Sequence, residues 1–175
     1  MGIETERRFL VNLDNLPDLG SVQRAKIKQG YLSRDPIVRV RLQEMQHPGC
    51  ASDGGVLVFE PEALLTVKGP GTLSRPEYEY RISRDDGKEM YDNLSKWRIV
   101  KTRYFLRCNA FIGTLMSSQL LVLDEFHGSL EGQWLTEFES SIKFDRIDFP
   151  AWVGAEVTED KRYSNVNLAE HGIPV

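Results

Sequence analysis

A chain of 175 residues, 41% hydrophobic and 27% charged, has the length of one domain and the composition of a folded protein, which excludes wholesale disorder. Its 22 Lys and Arg against 26 Asp and Glu give a net charge of −4, the wrong sign for a general nucleic-acid binder. Two cysteines and 3 scattered histidines supply neither a disulfide framework nor zinc-ligand spacing, and the longest apolar run, Leu120–Leu123, is far too short to cross a bilayer. Glu4, Glu6, Arg7 and Arg8 stand where a secretory leader would be apolar. The expectation is a cytoplasmic protein with no nucleic-acid and no membrane partner, forming one domain over residues 1–175.

Most of the chain alternates with period two, the mark of strands with unlike faces. In chain order the pattern predicts strands at Ile3–Val11, Ala25–Ser33, Val38–Gln43, Val56–Phe59, Leu64–Lys68 and Glu77–Ser83, then at Ile99–Leu106, Leu120–His127 and Trp134–Phe144. Gly69-Pro70-Gly71 and Gly113 mark turns. One helix is predicted over Asp85–Trp97, capped by Asp85 or Asp86, with Met90, Leu94 and Trp97 on one stripe. A shorter one begins near Ser164 and brings Val166 and Leu168 onto the body. Met45–Gly55, rich in Gly, Pro and Ser, reads as an exposed loop. Many strands and few helices predict a mainly β protein, a barrel or sandwich.

The polar faces of these strands are dense in ionisable groups. Glu4, Glu6 and Arg8 share one side of the first strand, Arg39 and Arg41 a side of the third, and Glu77, Glu79 and Arg81 another. Lys101 with Arg103 and Glu137 with Glu139 repeat the pattern, and Lys68 and Asp124 sit singly. On one strand this would be a solvated surface laced with weak ion pairs. Repeated on six or seven strands, it suits a closed barrel whose charged faces point inward, since buried charges need partners or bound ions. A tunnel carrying both signs fits a polyphosphate held by Arg forks and Lys, with carboxylates offering hard oxygens to Mg²⁺ or Mn²⁺.

Glu4-Thr5-Glu6-Arg7-Arg8 resembles the ExExK signature of the CYTH superfamily, the triphosphate tunnel metalloenzymes. The resemblance continues through Gln29-Gly30-Tyr31-Leu32-Ser33, Val38-Arg39-Val40-Arg41, Thr66-Val67-Lys68-Gly69 and Arg75-Pro76-Glu77-Tyr78-Glu79. It runs on through Lys101-Thr102-Arg103-Tyr104, Asp124-Glu125-Phe126, Glu137-Phe138-Glu139 and Glu156-Val157-Thr158-Glu159-Asp160-Lys161-Arg162-Tyr163. It implies a closed eight-stranded antiparallel barrel with helices outside, hydrolysing a triphosphate with Mg²⁺ or Mn²⁺. Carried over, Arg8, Arg39, Arg41, Lys68, Lys101 and Arg103 become the phosphate clamp, and Glu4, Glu6, Glu137 and Glu139 metal ligands. Asp124, Glu77 and Glu79 become second-metal or water-orienting groups, with Asp124 also counted among the metal ligands and Lys101 among the catalytic residues. Arg162, with Lys161, closes the tunnel from the C-terminal segment.

Arg8 departs from the signature's Lys, keeping the charge on a bulkier fork. The C-terminal run most resembles inorganic triphosphatases. The same family also hosts class IV adenylate cyclases, which make cyclic AMP and pyrophosphate from ATP, and thiamine triphosphatases, while a non-catalytic polyphosphate-binding module is the alternative of another class. A homodimer is left open. Trp97, Trp134, Trp152 and Tyr31 are read as packing residues, Cys108 as an inert thiol and His127 as a strand end.

Overall fold

A computed structural model describes residues 5–47, 62–69, 76–140 and 142–174. Glu4, the expected Val56–Phe59 strand, Pro70-Gly71 and most of the Met45–Gly55 loop lie outside the described residues. Ten strands form one antiparallel sheet: β1 (Thr5–Val11), β2 (Arg24–Arg34), β3 (Ile37–His47), β4 (Glu62–Lys68), β5 (Glu77–Ile82), β6 (Trp97–Ile112), β7 (Leu115–His127), β8 (Trp134–Ser140), β9 (Arg146–Asp148) and β10 (Val153–Glu156). The spatial order is β10-β1-β8-β7-β6-β2-β3-β4-β5, with β9 on the outer half of β6. Two short helices, α1 (Arg84–Glu89) and α2 (Asn165–His171), complete it.

The closed eight-stranded barrel is corrected in two respects. Among the described residues there are ten strands, and no ladder joins β5 to β1 or β10, so there the sheet is open along that seam. The physical reason lies in the edge strands. Among the described residues every residue of β5 is at least partly exposed and it pairs only with β4, and β10 takes the Phe9–Val11 part of the far side of β1. The sheet nevertheless curls so far that Glu77 and Glu79 of β5 and Glu6 and Arg8 of β1 line the same cavity.

The concave face is charged along the middle of the strands and apolar at one end. Leu10 shares a face with Glu6 and Arg8, Leu135 with Glu137, and Ile99 with Lys101 and Arg103, as period two requires. These residues pack with Tyr31, Phe126 and Leu130 into a cluster that α2 seals with Val166 and Leu168. Thus α2 caps the inner end, whereas α1 lies outside on β3 and β4. The convex face of β1, β6, β7 and β8 carries a second cluster built on Phe9, Tyr104, Leu121, Leu123, Phe138 and Trp152. Loop residues such as Leu16, Phe144 and Phe149 cover it, not helices.

The helix expected over Asp85–Trp97 is also shorter. Ser83, not Asp85 or Asp86, caps α1, its Oγ accepting from Asp86 N at 3.0 Å. The turn widens over Met90–Leu94 and stops where Arg98 Nε and Nη2 donate to the carbonyls of Tyr91 and Asp92 at 3.1 and 2.6 Å, satisfying helix-end acceptors. Trp97 instead begins β6, opposite Tyr31. The C-terminal helix forms where expected, with Ser164 as its cap and Val166 and Leu168 buried.

Candidate active site

The curled sheet encloses a cavity of about 590 Å³. Among the described residues 8 cationic side chains and 5 carboxylates line it, so there cations outnumber carboxylates by 3 inside a chain of net charge −4.

One wall comes from β1, β6, β7 and β8. Asp124 sits behind the surface, 1% exposed, with Oδ2 at 2.6 Å from Lys101 Nζ and both oxygens forked by Arg103 at 2.7 Å. Arg103 Nη2 also donates to Glu137 Oε2 at 2.7 Å, and Arg8 Nε to Glu137 Oε1 at 3.2 Å. Burial alone would raise the Glu137 carboxyl, but Arg103, Lys101 and Arg8 hold it well below its usual range. Burial lowers the Lys101 ammonium, with Asp124 opposing it.

The other wall comes from β3, β4 and β5. Lys68 Nζ meets Glu77 Oε2 at 2.6 Å, and Arg39 Nη2 meets Glu77 Oε1 at 3.4 Å. Arg41 Nη2 lies 3.6 Å from Glu79. Arg39 Nε and Arg41 Nε are buried with no hydrogen-bond partner among the described residues. Burial and the like charge of Arg39 pull Arg41 down to about 10. Because a guanidinium does not readily give up its proton, Arg41 stays a buried cation beside another, with Glu79 only partly offsetting them.

Between the walls, Gln29 Nε2 donates to Tyr31 Oη, and Gln29 Oε1 accepts from Arg39 Nη1 at 3.5 Å. Lys161, Asn165 and Asn167 reach the cavity from the α2 side, and Arg34 reaches it from β2 while bonded to Glu170 and Asn167.

These observations describe a cavity on a curled antiparallel sheet whose described lining residues carry more cations than carboxylates. The CYTH domain family matches residues 2–173. The chain belongs to the CYTH family. It is 33% identical over 175 residues to an inorganic triphosphatase of Acetivibrio thermocellus, covering 98% of this chain and 96% of the relative. It is 35% identical over 168 residues to an inorganic triphosphatase of Nitrosomonas europaea, covering 95% and 96%. Its fold is similar to the crystal structure of the inorganic triphosphatase NE1496, with a TM-score of 0.58 and 32% identity over 100% of this chain and 99% of that one.

Within this CYTH chain, most of the residues expected at the site converge. Glu6, Arg8, Arg39, Arg41, Lys68, Glu77, Glu79, Lys101, Arg103, Glu137, Glu139 and Lys161 all line the cavity. Two expected residues do not. Asp124 is sealed beneath Lys101 and Arg103, and the exposed Arg162 turns onto Asp160, Nη2 to Oδ2 at 2.7 Å. Glu4 is outside the described residues. Gln29, Arg34, Asn165 and Asn167 were missed as site residues. Gln29 shares its face with Ile27 and Tyr31, and that alternation was the available signal.

Among the described residues no cluster of three or more acidic, His or Cys side chains is gathered as a metal site. The donor chemistry still suits a hard cation. Glu6 and Glu139 are direct cross-strand partners facing the cavity, with the Arg8 guanidinium on Glu6, and like charges in that position gain from a cation close by. Glu137 is the poorer candidate, since arginines hold both its oxygens.

Proposed function

We propose that this CYTH chain is a metal-dependent triphosphatase that cleaves inorganic tripolyphosphate to pyrophosphate and orthophosphate. The observation that carries this reading is the cation excess among the described residues of a cavity in which two buried guanidinium Nε atoms have no partner among those residues. A dense, extended polyanion satisfies both demands, and Arg forks match phosphate oxygens two at a time. Relatives named inorganic triphosphatases over nearly the full length support the choice of substrate.

In this reading Arg39 and Arg41 fork the phosphoryl oxygens from one wall, with Lys68 beside them. Lys101, Arg103 and Arg8 neutralise charge from the other wall, and Lys161 closes on the substrate from the α2 side. Asp124 does not touch substrate. It positions Lys101 and Arg103, holding two cations that would otherwise repel each other. Glu6 and Glu139, with Glu4, would hold Mg²⁺ or Mn²⁺, which when bound screens phosphoryl charge and favours attack by water. One P–O anhydride bond breaks and one bond to the water oxygen forms, so catalysis rests on positioning and electrostatics without a covalent enzyme intermediate. The setting is cytoplasmic, and the partner is a small molecule.

The test is phosphate release from tripolyphosphate and from ATP, side by side, with Mg²⁺ or Mn²⁺ and with chelator, cyclic AMP being assayed in the same tubes. Release from tripolyphosphate that chelator abolishes is expected. Cyclic AMP with pyrophosphate from ATP would give the site to a cyclase instead.

A further inference from the structure

The two walls hold their cations in different ways. Asp124 and Glu137 make contacts of 2.6–2.7 Å to Lys101 and Arg103 with side chains only 1% and 10% exposed. Glu77 and Glu79 are 33% and 38% exposed; Lys68 holds Glu77 closely and Thr66 Oγ1 donates to Glu79 at 3.2 Å, but the Arg39–Glu77, Arg41–Glu79 and Arg39–Glu79 pairs span 3.4 to 3.9 Å. Exposed, loosely made pairs are weak, whereas buried, hydrogen-bonded ones yield only at high cost. Both carboxylates sit on a strand with a single neighbour among the described residues. They face Arg39, Arg41 and Lys68, the cations a polyphosphate needs.

Resting on the triphosphatase reading, we propose that Glu77 and Glu79 are displaceable counter-ions that occupy Arg39, Arg41 and Lys68 in the empty cavity and reclaim them as pyrophosphate leaves. This replaces the water-orienting role expected of them. Any polyphosphate must displace them to reach the clamp, so they weaken binding of substrate and product alike, and their return speeds product release.

Titration calorimetry with chelator, using tripolyphosphate and pyrophosphate as probes, compares wild type with Glu79→Gln and Glu77→Gln. Each variant should bind both anions about two- to fivefold tighter, the scale of a weak ion pair removed. With metal, rapid-quench kinetics should show an undiminished first turnover followed by slower steady-state release in the variants. Unchanged or weaker binding, or a slowed first turnover, would overturn the proposal. Glu79→Gln leaves the Lys68–Glu77 contact intact, and its melting temperature verifies that binding is read on folded protein. The calorimetry needs no turnover. A wild type that binds tripolyphosphate but never cleaves it would therefore sink the triphosphatase reading without touching the counter-ion result.

Discussion

Glu137 shows how a single carboxylate couples the site to stability. It accepts from Arg103 and Arg8 while almost wholly buried, and its pKa lies well below 4.5. A carboxyl depressed on folding contributes stability that is present above its unfolded value and is lost as pH falls through its folded one. Acid unfolding should therefore steepen below about pH 4.5, and Glu137→Gln should flatten that limb. Melting temperatures of the two proteins, taken from pH 7 downward, should converge in acid. Asp124 marks the limit of reading at this scale. Period two placed it on the charged face, but only the packing of Lys101 and Arg103 over it puts it beneath them and off the cavity lining.

At the scale of elements, the strands whose polar faces line the cavity were legible because alternation is imposed by the pleat itself. The pieces that escaped are those whose structure a partner decides. Arg146–Asp148 is only 3 residues long and exists by pairing with β6. Val153–Glu156 contains Gly154, where a Cβ would stand 3.0 Å from the Leu10 carbonyl oxygen of the neighbouring strand. Trp97 satisfied a helical stripe and a strand equally well until the Arg98 bonds ended the helix. Gly30 has a similar hidden constraint, since a Cβ there would come within 2.8 Å of Ser95 Cβ and would also collide with its Oγ. Gly30→Ala should push Met90–Leu94 away from β2 and destabilise the fold by about 1–3 kcal/mol, the usual range for overpacking. Urea denaturation at constant slope would measure it.

For the whole molecule, what the sequence could not supply was closure. Charged faces on many strands are equally compatible with a sealed barrel and with a curled sheet. The choice falls to edge strands, whose sequences, such as Glu77-Tyr78-Glu79-Tyr80, look no different from those of inner strands. The cavity's chemistry survives the open seam because it depends on which faces converge and not on whether the last ladder forms.

The segregation of charge also governs how a polyanion arrives. Among the described residues the cavity lining has 3 more cations than carboxylates, in a chain whose net charge is −4, so the rest of the chain carries a negative surplus. At millimolar ionic strength, with a screening length of about 30 Å at 0.01 M, an approaching phosphate chain meets repulsion before it senses the interior. Added salt thins this ionic atmosphere to about 10 Å at 0.1 M, hiding the exterior while the cations at the mouth still act at close range. Encounter should then quicken before it slows, and stopped-flow association rates should pass through a maximum as NaCl rises. A steady fall from the lowest salt would mean that the interior field already dominates at a distance.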